Sequence, residues 1–220
     1  MHEIRIGEDI RGKNREIAEE NRNLLKKHDV FSLNLMSAPG AGKTSLLEKT
    51  LPRLMQRYRV AVIEGDLQTS RDAERVRAHG ALVLQIETGD VCHLDAAMIH
   101  SALHQIDLDA IDILCIENVG NLVCPAEFEL GVDGRVMLLS ITEGDDKPKK
   151  YPLMFIESRL LILNKVDLLP HVDFDIGRAR REAREMNPAI DIIEISCKTG
   201  EGIDAWIDWI EKFYRQSGGR

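Results

Sequence analysis

The stretch SAPGAGKTSLL (37–47) decides the fold. It follows the apolar run VFSLNLMS (30–37) and leads into residues with helical spacing. Within it, Gly40, Ala41 and Gly42 precede Lys43, Thr44 and Ser45. Glycines let backbone N–H groups wrap a phosphate, a lysine reaches the β and γ oxygens, and a hydroxyl can ligate Mg²⁺. Ser37 stands where the phosphate-loop pattern opens with Gly, but a strand before and a helix after is the context the motif requires. A chance Gly-rich turn is the plain alternative.

Outward from that loop, short apolar runs recur: RVAVIEGD (59–66), ALVLQIE (81–87), DILCIENV (112–119), RVMLLSIT (135–142), RLLILNK (159–165) and DIIEISC (191–197). Each is bounded by polar or Gly-containing segments, as buried strands are. Helical patterns alternate with them, over 43–57, 70–79, 92–105, 175–186 and 202–215. The alternation predicts an α/β fold of the P-loop NTPase class, with a mostly parallel central sheet and helices on both faces. A single domain over 1–220 is expected. Apolar positions are sparse between residues 13 and 27, which predicts an N-terminal surface helix there.

The 220 residues carry 44% hydrophobic and 30% charged side chains, an ordinary balance for a globular chain with a proper core. The net charge of −8 argues against nonspecific nucleic-acid binding, which needs a basic face. No apolar run approaches membrane-span length, and MHEIRIGEDIRGKNREIAEENRNLLKKHD (1–29) is too charged for a secretory signal. A cytoplasmic protein with reduced thiols is expected. Its four cysteines are therefore read as ligands or core residues before disulfides.

The base preference is legible too. Asn164, Lys165 and Asp167 end an apolar strand in NKVD (164–167). A carboxylate accepts two hydrogen bonds, and guanine presents N1–H and its 2-amino group side by side. Adenine presents a lone pair and no amino group there. Asp167 thus favours guanine, the Lys165 stem packs along the base, and the loop of Ser196, Cys197 and Lys198 can offer a backbone N–H to guanine O6. Asp66 and Glu117 fall at the ends of parallel strands, where carboxylates face the ligand crevice. They are candidates for Mg²⁺ or for positioning the attacking water, with Lys43 as the third catalytic candidate; helix capping is the alternative for either acid. Gly120 stands where a γ-phosphate sensor belongs. No catalytic arginine is evident, so slow intrinsic turnover is expected. Lys147, Lys149 and Lys150 can reach phosphate, meet a partner, or form a solvated charge run.

One segment remains outside the nucleotide site. TGDVCHLDAA (88–97) sets Cys92 beside His93 at an expected helix start. Thiolate and imidazole suit borderline metals, but two adjacent residues do not complete a site.

Together APGAGKTSLL, EGDLQTSRDAERV, CHLDA, ENVGNLVCPAEFELG, TEGDDKPKKYP and NKVDLLP resemble the HypB family, GTPases that help insert nickel into [NiFe] hydrogenase. ENVGNLVCP and the Cys-His pair are the discriminating pieces. Urease accessory GTPases look similar around the phosphate loop, but their Cys-Pro-His motif is absent here. The resemblance implies a GTP-dependent homodimer with the metal at the subunit interface, and it maps the metal ligands onto Cys92, His93 and Cys124. It also implies a small nickel metallochaperone and a hydrogenase large-subunit precursor as partners. This chain lacks the N-terminal cysteine motif and His-rich stretch of some members, and has Val91 where some have Gly.

Position supports the mapping, because Cys124 lies four residues beyond Gly120, in a segment that moves on hydrolysis in phosphate-loop GTPases. Three ligands per chain leave room for a two-fold partner to close the site. Packing is the alternative for Cys92 and Cys124; Cys115 reads as core, and Cys197 as incidental to its loop. The residues leave Ni²⁺ and Zn²⁺ both open. His100 and His104 lie one helical turn apart and could face a metal, though a solvated helix face is the favoured reading; His2 is read as a disordered terminus. The expected activity is GTP hydrolysis to GDP and phosphate, with a urease-type or other metallocentre-assembly GTPase, or a non-catalytic metal-storage scaffold, as rivals.

Overall fold

The computed structural model describes residues 6–66, 71–89 and 91–218. Side chains are described for residues 11–65, 73–89 and 91–218. The elements in order are α1 (Ile6–Lys27), β1 (Phe31–Ser37), α2 (Lys43–Leu54), β2 (Val60–Asp66), α3 (Arg71–Arg77), β3 (Leu82–Glu87), α4 (Ala96–Leu103), β4 (Ile113–Glu117) and α5 (Cys124–Glu127). They continue with β5 (Gly134–Ser140), α6 (Lys147–Lys150), α7 (Pro152–Ile156), β6 (Leu160–Asn164), α8 (Ile176–Met186), β7 (Asp191–Ile195) and α9 (Ile203–Gln216).

Seven strands form one sheet in the order β3-β2-β4-β1-β5-β6-β7, and every pairing is parallel. Alternation along each strand divides the core. Leu33, Leu35, Val62, Cys115, Val136 and Leu138 face the side covered by α2 and α9. Ala61, Ile63, Leu114 and Ile116 face α1 and α4, while Met137, Leu139, Leu161 and Leu163 face α7 and α8. Because both faces are covered, the central strands read as unbroken apolar runs instead of alternating ones. The order reverses between β4 and β1, and ligands of open α/β sheets bind beyond the strand C-termini at such a switch point.

α1 begins seven residues earlier than the 13–27 expected, and it lies on the surface with one face buried. Ala18 and Asn21 are fully buried, and Leu25 and Asn14 nearly so. Asn21 Nδ2 donates to the carbonyls of Ala96 and Leu130 at 2.9 and 3.1 Å. Asn14 donates to Glu129 O and accepts from Ala96 N, both at 2.8 Å. The buried stripe is half polar, so hydropathy alone did not register it.

α4 begins at Ala96, not at Cys92. Asp95 has extended backbone and its carboxylate accepts from Met98 N at 2.8 Å, which makes it the N-cap. Cys92 and His93 therefore lie in the connection before the helix. No helix among the described residues is long and apolar enough to cross a membrane.

Candidate nucleotide and metal sites

β1 delivers the chain into a tight loop at the switch point, and α2 starts immediately after it. Gly42 has φ +106°, and a Cβ there would stand 2.5 Å from Asn164 Nδ2, so only glycine fits. Gly40, Gly42, Lys43 and Thr44, where α2 begins, line a cleft, and a helix N-terminus attracts anions. Lys43 is nearly buried, and its Nζ donates to Ser37 Oγ at 2.9 Å. The Ser37 hydroxyl that departs from the motif's glycine is thus used to hold the lysine. Thr44 Oγ1 donates to Glu117 Oε1 at 2.8 Å.

Glu117 ends β4, and Glu64 lies beside it in register on β2. Both carboxylates are buried and line the phosphate cleft with Lys43, Thr44 and Arg75. Two acids facing a phosphate cradle would repel a triphosphate unless a divalent cation sits between them. The oxygen set of Thr44, Glu117 and Glu64 is the hard-donor chemistry Mg²⁺ takes. Asp66 ends β2, and its side chain lies outside the described residues.

The base end of the cleft shares Gly42 and Ser45 with the phosphate end, so one channel wraps the start of α2. It is lined by Asn164, Lys165, Asp167, Cys197 and Lys198. Asn164 is a brace: its Nδ2 donates to Ala41 O at 2.8 Å and its Oδ1 accepts from Lys165 N at 2.7 Å. Lys165 takes φ +67°, and its Nζ donates to Gly40 O at 2.8 Å, spanning the base and phosphate ends. Asp167 Oδ1 accepts from the Ser196 hydroxyl at 2.6 Å, which orients the carboxylate. Burial pushes the Cys197 thiol up to about 11, so it stays neutral in the cleft.

Cys92, His93 and Cys124 converge: their ligand atoms all lie within 4.8 Å of one another. The Cys92 and Cys124 sulfurs are 3.3 Å apart, within the span two sulfurs take on one ion with bonds of about 2.3 Å. His93 stacks on Phe128 with ring centroids 4.0 Å apart, and its Nδ1 is buried with no hydrogen bond among the described residues. Burial lowers the His93 pKa, opposed by Asp95 and Glu127, and so favours the neutral imidazole a metal needs. Burial raises the Cys124 pKa, and the neighbouring Cys92 raises it further. Each cysteine follows an exposed valine, Val91 at 37% and Val123 at 50% exposure, so apolar surface adjoins the cluster.

Residues 117–124 join the two sites. Gly120 packs against the phosphate loop so closely that a Cβ would meet the Pro39 backbone at 2.8 Å. Asn118, 1% exposed, accepts from Leu94 N at 3.1 Å and from Val119 N at 2.9 Å, and donates to Asn34 Oδ1 at 3.2 Å. Leu94 follows His93 directly. One short connection thus holds the Mg²⁺ candidate Glu117, the tether Asn118, the close-packed Gly120 and the candidate ligand Cys124.

Three site residues escaped the sequence reading. Glu64 was signalled by an acid inside an apolar strand, and Asn118 by a polar residue directly after Glu117. Arg75 had no local signal; it reaches the cleft from α3 while its guanidinium pairs with Glu48 on α2. The lysines of 147–150 turn elsewhere: Lys149 pairs with Glu182 at 3.1 Å, Lys150 with Asp146 at 2.6 Å, and Lys147 lies over the Tyr151 ring. His2 lies outside the described residues.

Comparison with known proteins agrees with this architecture. The family model described as the CobW/HypB/UreG nucleotide-binding domain matches residues 32–194. A hydrogenase maturation factor HypB of Azotobacter vinelandii is 52% identical over 209 residues, covering 95% of this chain and 69% of that protein. The crystal structure of HypB from Helicobacter pylori in complex with nickel superposes with a TM-score of 0.89 at 37% identity, covering 94% of this chain and 98% of that one. That of the maturation factor HypB from Archaeoglobus fulgidus gives 0.87 at 40% identity, covering 92% and 99%.

Proposed function

Since the chain belongs to the CobW/HypB/UreG family, and within it to the HypB maturation factors, we propose that it is a GTP-hydrolysing metallochaperone. Its cargo is Ni²⁺ or Zn²⁺, held by Cys92, His93 and Cys124 at a homodimer interface. It assists nickel insertion into a [NiFe] hydrogenase large-subunit precursor, with a small nickel metallochaperone as a further partner. The observation that carries the reading is the connection from Glu117 to Cys124, which touches the phosphate loop at one end and the thiol pair at the other.

In this mechanism the α2 N-terminus and Lys43 hold the GTP phosphates, and Asp167 selects guanine. Thr44, Glu117 and Glu64, with Asp66 as a further candidate, would hold Mg²⁺, which would neutralise charge developing on the phosphates during transfer. A γ-phosphate against Gly120 fixes residues 117–124 in one arrangement, and its loss releases them. Because Asn118 bonds the backbone after His93, that release moves both halves of the metal site. Exposed Val91 and Val123 pack against the same residues of a second copy, which brings two half-sites together about a two-fold axis. Turnover in the isolated protein is slow, since the Arg75 guanidinium is committed to Glu48.

Phosphate release tests the enzymatic part. The protein is expected to release phosphate from GTP and not from ATP, and to lose that activity in Lys43→Ala. Equal rates on both nucleotides would remove the role given to Asp167. No release from either would leave a scaffold that uses nucleotide only as a structural ligand.

A further inference from the structure

A second metal-ligand geometry lies at the C-terminal end of α4. His100 and His104 are one turn apart, and their Nε2 atoms are 3.1 Å from each other. Two imidazoles on one ion, with metal–nitrogen bonds of about 2.0–2.1 Å, place their nitrogens about 2.9 Å apart at a right angle and about 3.4 Å apart in a tetrahedron. The observed separation falls between these. The rings stand nearly perpendicular, at 79° with centroids 4.7 Å apart, instead of stacking.

The tautomer is set by the buried stripe of α1. Asn21 Nδ2 is spent on two carbonyls, so its Oδ1 is the atom that faces His100 Nδ1, at 2.9 Å. An amide oxygen only accepts, so His100 Nδ1 carries the proton and its Nε2 presents a lone pair toward His104. That is how outer-shell partners prepare metal-binding histidines, by fixing ring orientation and raising basicity. In the metal-free protein His104 Nε2–H donates to that lone pair. When an ion binds, this proton moves through solvent to the exposed His104 Nδ1, and both Nε2 lone pairs turn to the metal. His104 also borders a cleft lined by His28, Leu103 and Asp107, which leaves room for water to complete the coordination shell.

We infer that His100 and His104 form a second binding site, separate from Cys92, His93 and Cys124, for a borderline divalent transition metal. Sequence alone favoured a solvated helix face for this pair. The half-buried, Asn21-oriented His100 is the observation that changes the reading.

The test titrates the full-length, reduced protein with Ni²⁺ by calorimetry, in wild type and in His104→Asn. His104 is exposed, so the substitution leaves the fold intact, and a thermal unfolding curve checks this. Wild type is expected to bind Ni²⁺ beyond the cysteine site, and His104→Asn to weaken that further binding by at least about tenfold, the lower end of what losing even an outer-shell partner costs. The cysteine-site binding stays unchanged in His104→Asn and is lost in Cys92→Ser/Cys124→Ser, which keeps the two sites distinguishable. With diamagnetic Zn²⁺, the His100 and His104 ring resonances should shift together at saturation. Equal stoichiometry and affinity in wild type and His104→Asn, or ring resonances that do not respond, would overturn the inference.

Discussion

Replacing Asn118 with Ala tests the connection between the two sites most sharply. The side chain is 1% exposed and makes three hydrogen bonds, to Leu94 N, Val119 N and Asn34 Oδ1. Truncation leaves the Leu94 amide and the Asn34 oxygen buried without those partners. Each such loss costs about 1–3 kcal/mol, so the variant should be roughly 2–6 kcal/mol less stable. For a chain of this size that lowers Tm by about 4–24 °C, at about 2–4 °C per kcal/mol. Allosteric coupling typically amounts to about 1–3 kcal/mol, and the Asn118 bonds are large enough to transmit it. The variant should therefore still bind nucleotide and metal at a temperature where it is folded, but metal affinity should no longer depend on which nucleotide is bound. Calorimetric unfolding measures the first effect, and Ni²⁺ titration in GDP and in a non-hydrolysable GTP analogue measures the second. A folded Asn118→Ala protein that keeps the full wild-type ratio of affinities would refute the tether.

Three further outcomes are expected. Asp167→Asn loses acceptors for guanine, at about 1.5–3 kcal/mol per charged hydrogen bond, so GTP affinity should fall at least about 100-fold and the preference should move toward xanthosine triphosphate, whose 2-carbonyl accepts from the new amide; GTP affinity within threefold of wild type would contradict the base assignment. Gly42→Ala must place a Cβ 2.5 Å from Asn164 Nδ2 at φ +106°, so it should weaken nucleotide binding and destabilise the fold by about 1–3 kcal/mol, readable by fluorescence titration and denaturant melts. Cys115 is fully buried and its pKa is pushed from 9.0 up to about 12, so the folded state keeps a proton the unfolded chain gives up; its contribution is intact below 9.0 and disappears as pH rises through about 12, and the stability advantage of wild type over Cys115→Ala should shrink across that window in denaturant melts, whereas a constant gap would show that the thiol is not desolvated.

Much of the candidate nucleotide site was legible because its signals are local. The run from Gly40 to Ser45 sits on consecutive residues, and Asn164, Lys165 and Asp167 need only one strand end to place them. Loop geometry was harder. The helical pattern suggested that α4 starts at Cys92, but the carboxylate of Asp95 caps it three residues later and leaves the Cys-His pair in a connection free to meet Cys124. Long-range hydrogen bonds left no trace in periodicity. Asn118 meets Leu94 across 24 residues, and Arg75 meets Glu48 across 27. Asn14 and Asn21 are buried polar residues satisfied by carbonyls of distant segments, so they read as solvent-facing when hydropathy is the only guide. Asn164 lines the cleft, as its place in NKVD suggests, and its side chain also braces Ala41 and the following backbone.

The alkaline behaviour of the metal site follows from the same chemistry. Burial holds the Cys124 thiol protonated beyond its ordinary range, so metal must displace that proton, and affinity for Ni²⁺ should rise with pH.

The central claim is that residues 117–124 make metal binding answer to the nucleotide. Its most direct test titrates reduced, metal-free protein with Ni²⁺ in GDP and in a non-hydrolysable GTP analogue, while sedimentation records the dimer fraction. The account predicts that affinity or stoichiometry differs between the two nucleotides and follows dimerisation. Identical binding in both, whatever the dimer fraction, would make the metal site and the GTPase independent functions of one chain.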